Sequence, residues 1–197
     1  MDDELKSALD IALEKTSNVS EPTVEERLEW KYVPEGEKIA GRYLQHNTNL
    51  LEELNKFGPE AQKYVKMGAS MILIRTLDLP KTELIKKTNK AIMDGLKHLK
   101  SDRVGLENVL SKLRYLLNHY TTQGEQQRQQ AYEELKRDML ARMQQAVRQR
   151  TGLNQQVNID VESQPQFREE LLKIQHQLDE QYLKMLNDIK QALIKLN

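Results

Sequence analysis

Four histidines have the widest chemical repertoire in this chain, and their spacing favours structural roles. They are His46, His98, His119 and His176. No two of them form an HxxxH pair, although Asp94 and His98, like His176 and Glu180, are four residues apart and can share a helix face. A zinc site needs three or four converging ligands, and the chain has no cysteine to supply a thiolate. The sequence therefore predicts no metal ion and no cofactor.

Motifs for phosphate chemistry are missing from the sequence. Neither GxxxxGK[ST] nor GxGxxG occurs, and a helix-rich composition leaves no βαβ unit to position such a loop. The acidic pair Glu169 and Glu170 follows a predicted helix start, where carboxylates offset the helix dipole. We therefore predict that the protein is not an enzyme. Histidine and carboxylate groups converging in one enclosed pocket would indicate a helical enzyme instead.

A group of arginines in the carboxyl-terminal third is the best indication of nucleic-acid binding. The group comprises Arg137, Arg142, Arg148, Arg150 and Arg168. Such side chains, together with the abundant glutamines around them, can contact phosphates and bases. Acidic residues such as Glu133 and Asp138 interleave with the arginines, however, and the whole chain balances 30 basic with 30 acidic residues. Interleaved charge is typical of a solvated helix surface, so nucleic acid is the alternative partner and not the favoured one.

Charge is segregated along the chain although it sums to zero. Residues 1–37 carry eleven acidic and four basic residues, residues 38–120 carry eight and fifteen, and residues 121–197 carry eleven of each. The simplest interpretation is that the acidic amino-terminal segment docks on the basic middle segment. The other interpretation is that the acidic amino-terminal segment attracts a basic partner.

One short segment alternates apolar and polar residues as a β-strand does. Its apolar members are Val157, Ile159 and Val161. The sequence offers no second strand, so the backbone here would pair with another copy or with a partner's strand. Together with Met143 and Phe167 on the flanking helices, these residues form the predicted self-contact or partner-contact site. An extended loop that alternates by chance is equally compatible with the pattern.

Strong helix formers dominate the remaining sequence, and only eight glycines and five prolines interrupt them. The predicted fold is therefore all-α. The predicted helices cover about 3–16, 23–32, 50–57, 59–77, 81–100, 103–150 and 165–196, with a short additional helix around Ile39 and Tyr43. Pro34 and Gly36 are expected to separate that short helix from the one before it.

Local signals mark several of the predicted helix starts. A capping box at Thr23 and Glu26 and N-caps at Asn49 and at Ser101-Asp102 precede three of the helices, and Pro165 begins the last one. Gly124 is the one weak point within the helix predicted over 103–150.

The segment 67–74 is apolar or small on every side, which predicts a central helix that is buried all round. Gly68, Ala69 and Ser70 within it would let a neighbouring helix approach closely. Trp30 is expected to be buried in the same body.

The carboxyl-terminal third has the clearest periodicity in the chain. From Phe167 to Leu196 apolar residues recur every three or four positions, and a facing stripe runs from Tyr132 to Arg150. Two helices joined by a short connection lie antiparallel, which predicts a long coiled-coil hairpin. The predicted organisation is a compact multi-helix body over 1–123 and a hairpin over 124–197, with its tip at 152–165 and its base packed on the body.

Three segments of the chain resemble a family of small, uncharacterised, all-helical bacterial proteins. The segments are EERLEWKY at 25–32, VNIDVESQPQF at 157–167 and QLDEQY at 177–182. The resemblance covers most of the chain and implies a helical fold. It implies no activity, ligand or catalytic residue.

The sequence favours a non-enzymatic interaction or scaffold protein that uses the hairpin to self-associate or to bind a helical protein. No apolar run approaches the roughly 20 residues of a membrane span, and the acidic amino terminus lacks the basic region of a signal peptide. We therefore expect a cytoplasmic protein without membrane contact. Binding that falls steeply with salt would indicate nucleic acid, whereas a helical interface should be nearly independent of salt.

Overall fold

Seven helices make up the part of the chain that the computed structural model describes, namely residues 22–46, 48–151 and 159–196. They are α1 (Val24–His46), α2 (Leu50–Asn55), α3 (Pro59–Thr76), α4 (Glu83–Leu99), α5 (Arg103–Thr121), α6 (Gln123–Thr151) and α7 (Pro165–Lys195). Within these residues there is no strand, and the all-α prediction is confirmed. The predicted helix at 3–16 lies outside the described residues. None of the seven helices is long and apolar enough to cross a membrane.

Local capping signals fix several of the helix starts, as the sequence predicts. The backbone N–H of Thr23 donates to Glu26 Oε2 at 2.7 Å, and the N–H of Glu26 donates to Thr23 Oγ1 at 3.2 Å, which completes a capping box before α1. Asn49 caps α2, and Asp102 caps α5 by accepting from the N–H of Gly105 at 2.8 Å.

Helix α1 corrects two of the predictions. It continues through Pro34 without the predicted separation, because packing of its buried face on α3, in the most extensive helix contact of the described chain, outweighs one lost backbone hydrogen bond. Gly36, Ile39 and Ala40 line that buried face. Trp30 lies outside it and is 67% exposed, so the prediction that the body buries Trp30 is wrong.

Two glycines bring α1 and α3 into backbone contact. A Cβ on Gly36 would overlap the carbonyl oxygen of Val65 and lie 2.8 Å from the backbone nitrogen of Ala69. A Cβ on Gly68 would overlap the carbonyl oxygen of Val33 and lie 2.9 Å from its carbonyl carbon. The close approach predicted at position 68 is confirmed. The prediction that this helix is buried on every side is wrong, because Met67 and Met71 are exposed.

The predicted helix over 103–150 is divided into α5 and α6 at Thr122, which has φ −108° and ψ −80°. The hydroxyls of Thr121 and Thr122 donate back to carbonyl oxygens of α5, at 3.0 and 2.9 Å from Asn118 O. Back-bonding of this kind bends helices. The prediction of a single long helix is therefore wrong. The division falls two residues before Gly124, the weak point predicted from the sequence.

Two apolar clusters hold the helices together, and α7 contributes to both. The main core contains Leu73, Ile92, Leu113 and other residues of α1–α5, joined by Tyr182, Leu186 and Leu193 from α7. The second cluster contains Leu135 and Met139 from α6, with Val161 and Phe167. The carboxyl-terminal half of α7 thus packs on the body, and its amino-terminal half packs on α6.

Residues later in α6 contact residues that are earlier in the segment containing α7. Arg128, near the start of α6, lies beside Asp179, whereas Tyr132 stacks edge-on against Phe167 with ring centroids 5.6 Å apart. Lys136 pairs with Glu162, just before α7. Coiled-coil packing of this pair, and a domain boundary between residues 123 and 124, stay predictions.

Candidate functional site

A buried ionic cluster joins α5, α6 and α7, and we call it the ionic junction. Its centre is Asp179, which is only 5% exposed. Lys81 Nζ lies 2.7 Å from Asp179 Oδ2, and Arg128 Nη1 lies 3.8 Å from Asp179 Oδ1. Two cations from separate parts of the chain therefore compensate one buried carboxylate.

Arg128 also completes the end of α5. Its Nη2 donates to the carbonyl oxygen of Tyr120 at 3.1 Å and to Glu125 Oε2 at 2.6 Å. The guanidinium carbon lies 4.2 Å from the centroid of the Tyr120 ring, within the range of a cation–π contact. One side chain thus satisfies an orphan carbonyl of α5 and fixes α6 against it.

Aromatic residues surround the junction and need Gly124 beside them. His119 Nδ1 and the Tyr182 hydroxyl lie 2.9 Å apart, and the rings of Tyr120 and Tyr182 meet edge-on with centroids 5.1 Å apart. A Cβ on Gly124 would lie 3.0 Å from the Tyr182 hydroxyl. Gly124 therefore admits Tyr182 to this position, which is a packing role for a residue that weakens the helix.

The junction contains, between α6 and α7, an ion pair without a hydrogen bond. Arg128 Nη1 and Asp179 Oδ1 have no hydrogen-bond partner among the described residues and lie 3.8 Å apart. Across the described residues, no three histidine or carboxylate groups converge as metal ligands would.

Burial raises the pKa of the Tyr120 hydroxyl from 10 to about 12, with Arg128 opposing the shift and Asp179 reinforcing it. Between these two pH values the unfolded chain releases a proton that the folded chain keeps, so the free energy of unfolding should fall as pH rises from 10 to about 12. A Tyr120→Phe variant should lose less stability over this interval. Urea unfolding of both proteins at the two ends of the interval measures the difference, and equal losses would exclude Tyr120 as the cause.

A groove between α5 and α7 lies next to the junction, and we call it the α5–α7 groove. Its volume is about 620 Å³. Tyr115 and Met185 border it and are 72% and 45% exposed. Its remaining lining residues are Ser111, Lys112, Leu116, His119, Asp188 and Ile189. An exposed groove between two helices, with aromatic and thioether side chains on its walls, suits an amphipathic helix.

Most residues of the predicted contact site pack within the chain. Val161 and Phe167 are buried in the second cluster, and Ile159 and Met143 are partly buried against it. Val157 lies outside the described residues. A contact of these residues with a partner stays a prediction, but their apolar surface is already used by α6 and α7.

The five arginines of the nucleic-acid alternative are all exposed. At about 100° per residue, Arg137 and Arg148 share a face of α6, whereas Arg142 and Arg150 are rotated well away from it. Arg137 also lines a shallow surface depression with Glu133 and Glu134. The arginines therefore do not form a continuous basic track.

Sequence reasoning misses the ionic junction because its members are far apart in the chain. The available signal is Asp179, a carboxylate between Leu178 and Tyr182 on the apolar stripe of α7. A charged residue at such a position requires a partner. Nothing local identifies that partner as Arg128 or Lys81.

The described helices and their two apolar clusters define an all-helical protein. The chain belongs to DUF6657, a family of unknown function, whose family model matches residues 51–195. The predicted resemblance to an uncharacterised helical family is thereby confirmed. No curated protein and no solved structure matches the chain.

Proposed function

We propose that this protein is a non-enzymatic interaction protein that self-associates through the α5–α7 groove. The observation that carries the proposal is the exposure of Tyr115 and Met185 on the two walls of this groove. Aromatic residues and methionine are enriched in protein–protein interfaces. Helix α7 provides one wall, but among the described residues none of the predicted contact residues near the hairpin tip lines the groove. A cytoplasmic location is part of the same proposal.

The charges of the groove favour a second copy of this chain as the occupant. Lys112 lies on the α5 wall and Asp188 on the α7 wall, and neither has an ion-pair partner within the described residues. In a two-fold symmetric interface every contact occurs twice: if one residue of the first copy contacts another residue of the second copy, the same contact forms with the two copies exchanged. Lys112 of each copy can therefore face Asp188 of the other, which gives two ion pairs around an apolar centre.

Sedimentation velocity over a range of protein concentrations tests the proposal. We expect the wild-type chain to sediment as a dimer, and a Met185→Glu variant to dissociate at least about tenfold more readily because it buries a charge in the interface. Leu84→Glu is the matched control, since Leu84 is also exposed but lies on α4 away from the groove. That variant should associate as the wild type does.

Charge reversal separates a specific two-fold interface from general adhesion. Lys112→Glu and Asp188→Lys should each weaken association, and the combined variant should restore it because the pairs reform with opposite polarity. A wild-type chain that is monomeric at every concentration contradicts the proposal. Equal effects of Met185→Glu and Leu84→Glu contradict it as well.

A further inference from the structure

A second concave site lies at the opposite end of α5, and we call it the basic pocket. Its volume is about 850 Å³, and its walls come from α3, from the end of α4 and start of α5, and from the end of α7. Five of its lining residues can carry positive charge: Lys63, Lys66, His98, Lys100 and Arg103. Among the described residues that line it there is no carboxylate. Like charges gathered in a concavity focus the electrostatic field and attract anions.

The cations of this pocket lack carboxylate partners among the described residues, whereas several other lysines of the body have one. Lys86 pairs with Glu83, and Lys97 with Asp94, on the same helix. In the described chain, no such ion pair involves Lys66, Lys100 or Arg103. Their charge is therefore available to a ligand.

Lys100 is the most constrained of these cations. It is half-buried, and its Nζ donates to the carbonyl oxygen of Leu196 at 2.6 Å. Burial lowers the pKa of its ammonium group. Among the described residues, this ammonium group has only a backbone carbonyl as its hydrogen-bond acceptor. An anion in the pocket would compensate its charge.

The pocket also has an apolar side. Met67, Leu99, Ile194 and Leu196 line it, and Ile194 is exposed there. An extended polyanion such as duplex nucleic acid requires a basic track along a surface. A single concavity of this size, charged on one side and apolar on the other, suits a small molecule instead.

We propose that the basic pocket binds a small organic phosphate of nucleotide size, with its phosphates on Lys66, Lys100 and Arg103 and its organic part against Met67 and Ile194. The site is separate from the α5–α7 groove, because the two share no lining residue. Ligand binding and self-association can therefore fail independently.

Isothermal titration of the full chain with ATP, without added metal and at about 0.15 M salt, tests the proposal. We expect saturable binding with one ATP per chain. Lys66→Gln and Arg103→Gln should each weaken it at least about tenfold, the usual effect of losing one charge-assisted hydrogen bond. Lys90→Gln is the matched control, because Lys90 is exposed on α4 and lies outside the pocket. It should bind within about twofold of the wild type.

A comparison of ATP with inorganic tripolyphosphate tests the apolar side of the pocket separately from its charged side. ATP should bind at least about tenfold more tightly than inorganic tripolyphosphate, because only ATP places an organic group against the apolar wall. Thermal unfolding by circular dichroism verifies that each variant is folded, and Lys66→Arg should retain most of the affinity.

Three results would overturn the proposal. The first is that the wild-type chain shows no saturable ATP binding. The second is that Lys90→Gln weakens binding as much as Lys66→Gln, which indicates non-specific attraction. The third is that ATP binds only after the acidic residues among positions 1–21 are replaced by their amides, which identifies the chain's own acidic segment as the occupant.

Discussion

Replacing Gly68 by alanine is expected to destabilise the fold by about 3 kcal/mol, at the upper end of the usual cost of overpacking. The added Cβ would overlap the carbonyl oxygen of Val33 and lie 2.9 Å from the carbonyl carbon. These are backbone atoms of α1, which cannot rotate away as a flexible side chain can. The two helices must therefore move apart, and the apolar contacts around their crossing weaken together.

Gly36→Ala should have a similar effect, because its Cβ meets the backbone of Val65 and Ala69 from the other side of the same crossing. The double variant should cost less than the sum of the two single variants. Once the first methyl group has separated the helices, the second finds part of the space already open.

Gly41→Ala is the matched control for both substitutions. Gly41 is a third glycine near the same crossing and lies in α1, but a Cβ there meets nothing within 4 Å. This substitution should stabilise the protein by about 0.5–1 kcal/mol through helix propensity alone. Urea unfolding followed by circular dichroism measures the wild type and all four variants. A Gly68→Ala variant as stable as the wild type would contradict the close backbone contact between the two helices at Gly68.

Sequence predicted the parts of this fold that local chemistry decides. The capping box at Thr23 and Glu26 and the caps at Asn49 and Asp102 are confirmed, because each depends on residues within three positions. Pro165 begins the last helix, also as predicted. Such signals act through neighbouring backbone groups, which the sequence shows directly.

The errors occur where distant packing overrides a local signal. Pro34 predicts a helix end, yet α1 continues through it because its next turns are buried on α3. Trp30 is expected in the core as a large apolar residue, yet it lies on the outer side of α1. Periodicity alone cannot decide which side of an amphipathic helix meets the body when both sides carry apolar residues.

The candidate sites are even less accessible from the sequence. The basic pocket combines Lys63 with Leu196, and the ionic junction combines Lys81 with Arg128 and Asp179. The excess of basic residues over 38–120 does indicate an anion-attracting surface. It cannot indicate that three helices gather a few of those cations into one concavity.

Replacing Asp179 by alanine is expected to destabilise the protein by about 3 kcal/mol, the usual cost of removing one partner from a buried ion pair. The variant removes the only buried carboxylate beside Arg128 within the described residues, and the other carboxylate partner of Arg128, Glu125, is exposed. Lys81 loses a contact of 2.7 Å. Lys81 is half-exposed and can turn to water, so most of the cost should fall on Arg128. Asp138→Ala on the exposed surface of α6 is the control and should change stability by no more than about 0.5 kcal/mol.

A double-mutant cycle with Arg128→Met assigns the cause of that loss. If the loss of Asp179 acts through the guanidinium of Arg128, the Asp179→Ala and Arg128→Met changes together should be less destabilising than the sum of the single changes, because the double variant no longer contains that guanidinium. Arg128→Met retains a cost of its own, since the carbonyl oxygen of Tyr120 loses a donor at the end of α5. Strict additivity would mean that Asp179 and Arg128, 3.8 Å apart, do not interact, and that the ionic contribution of Asp179 comes from Lys81.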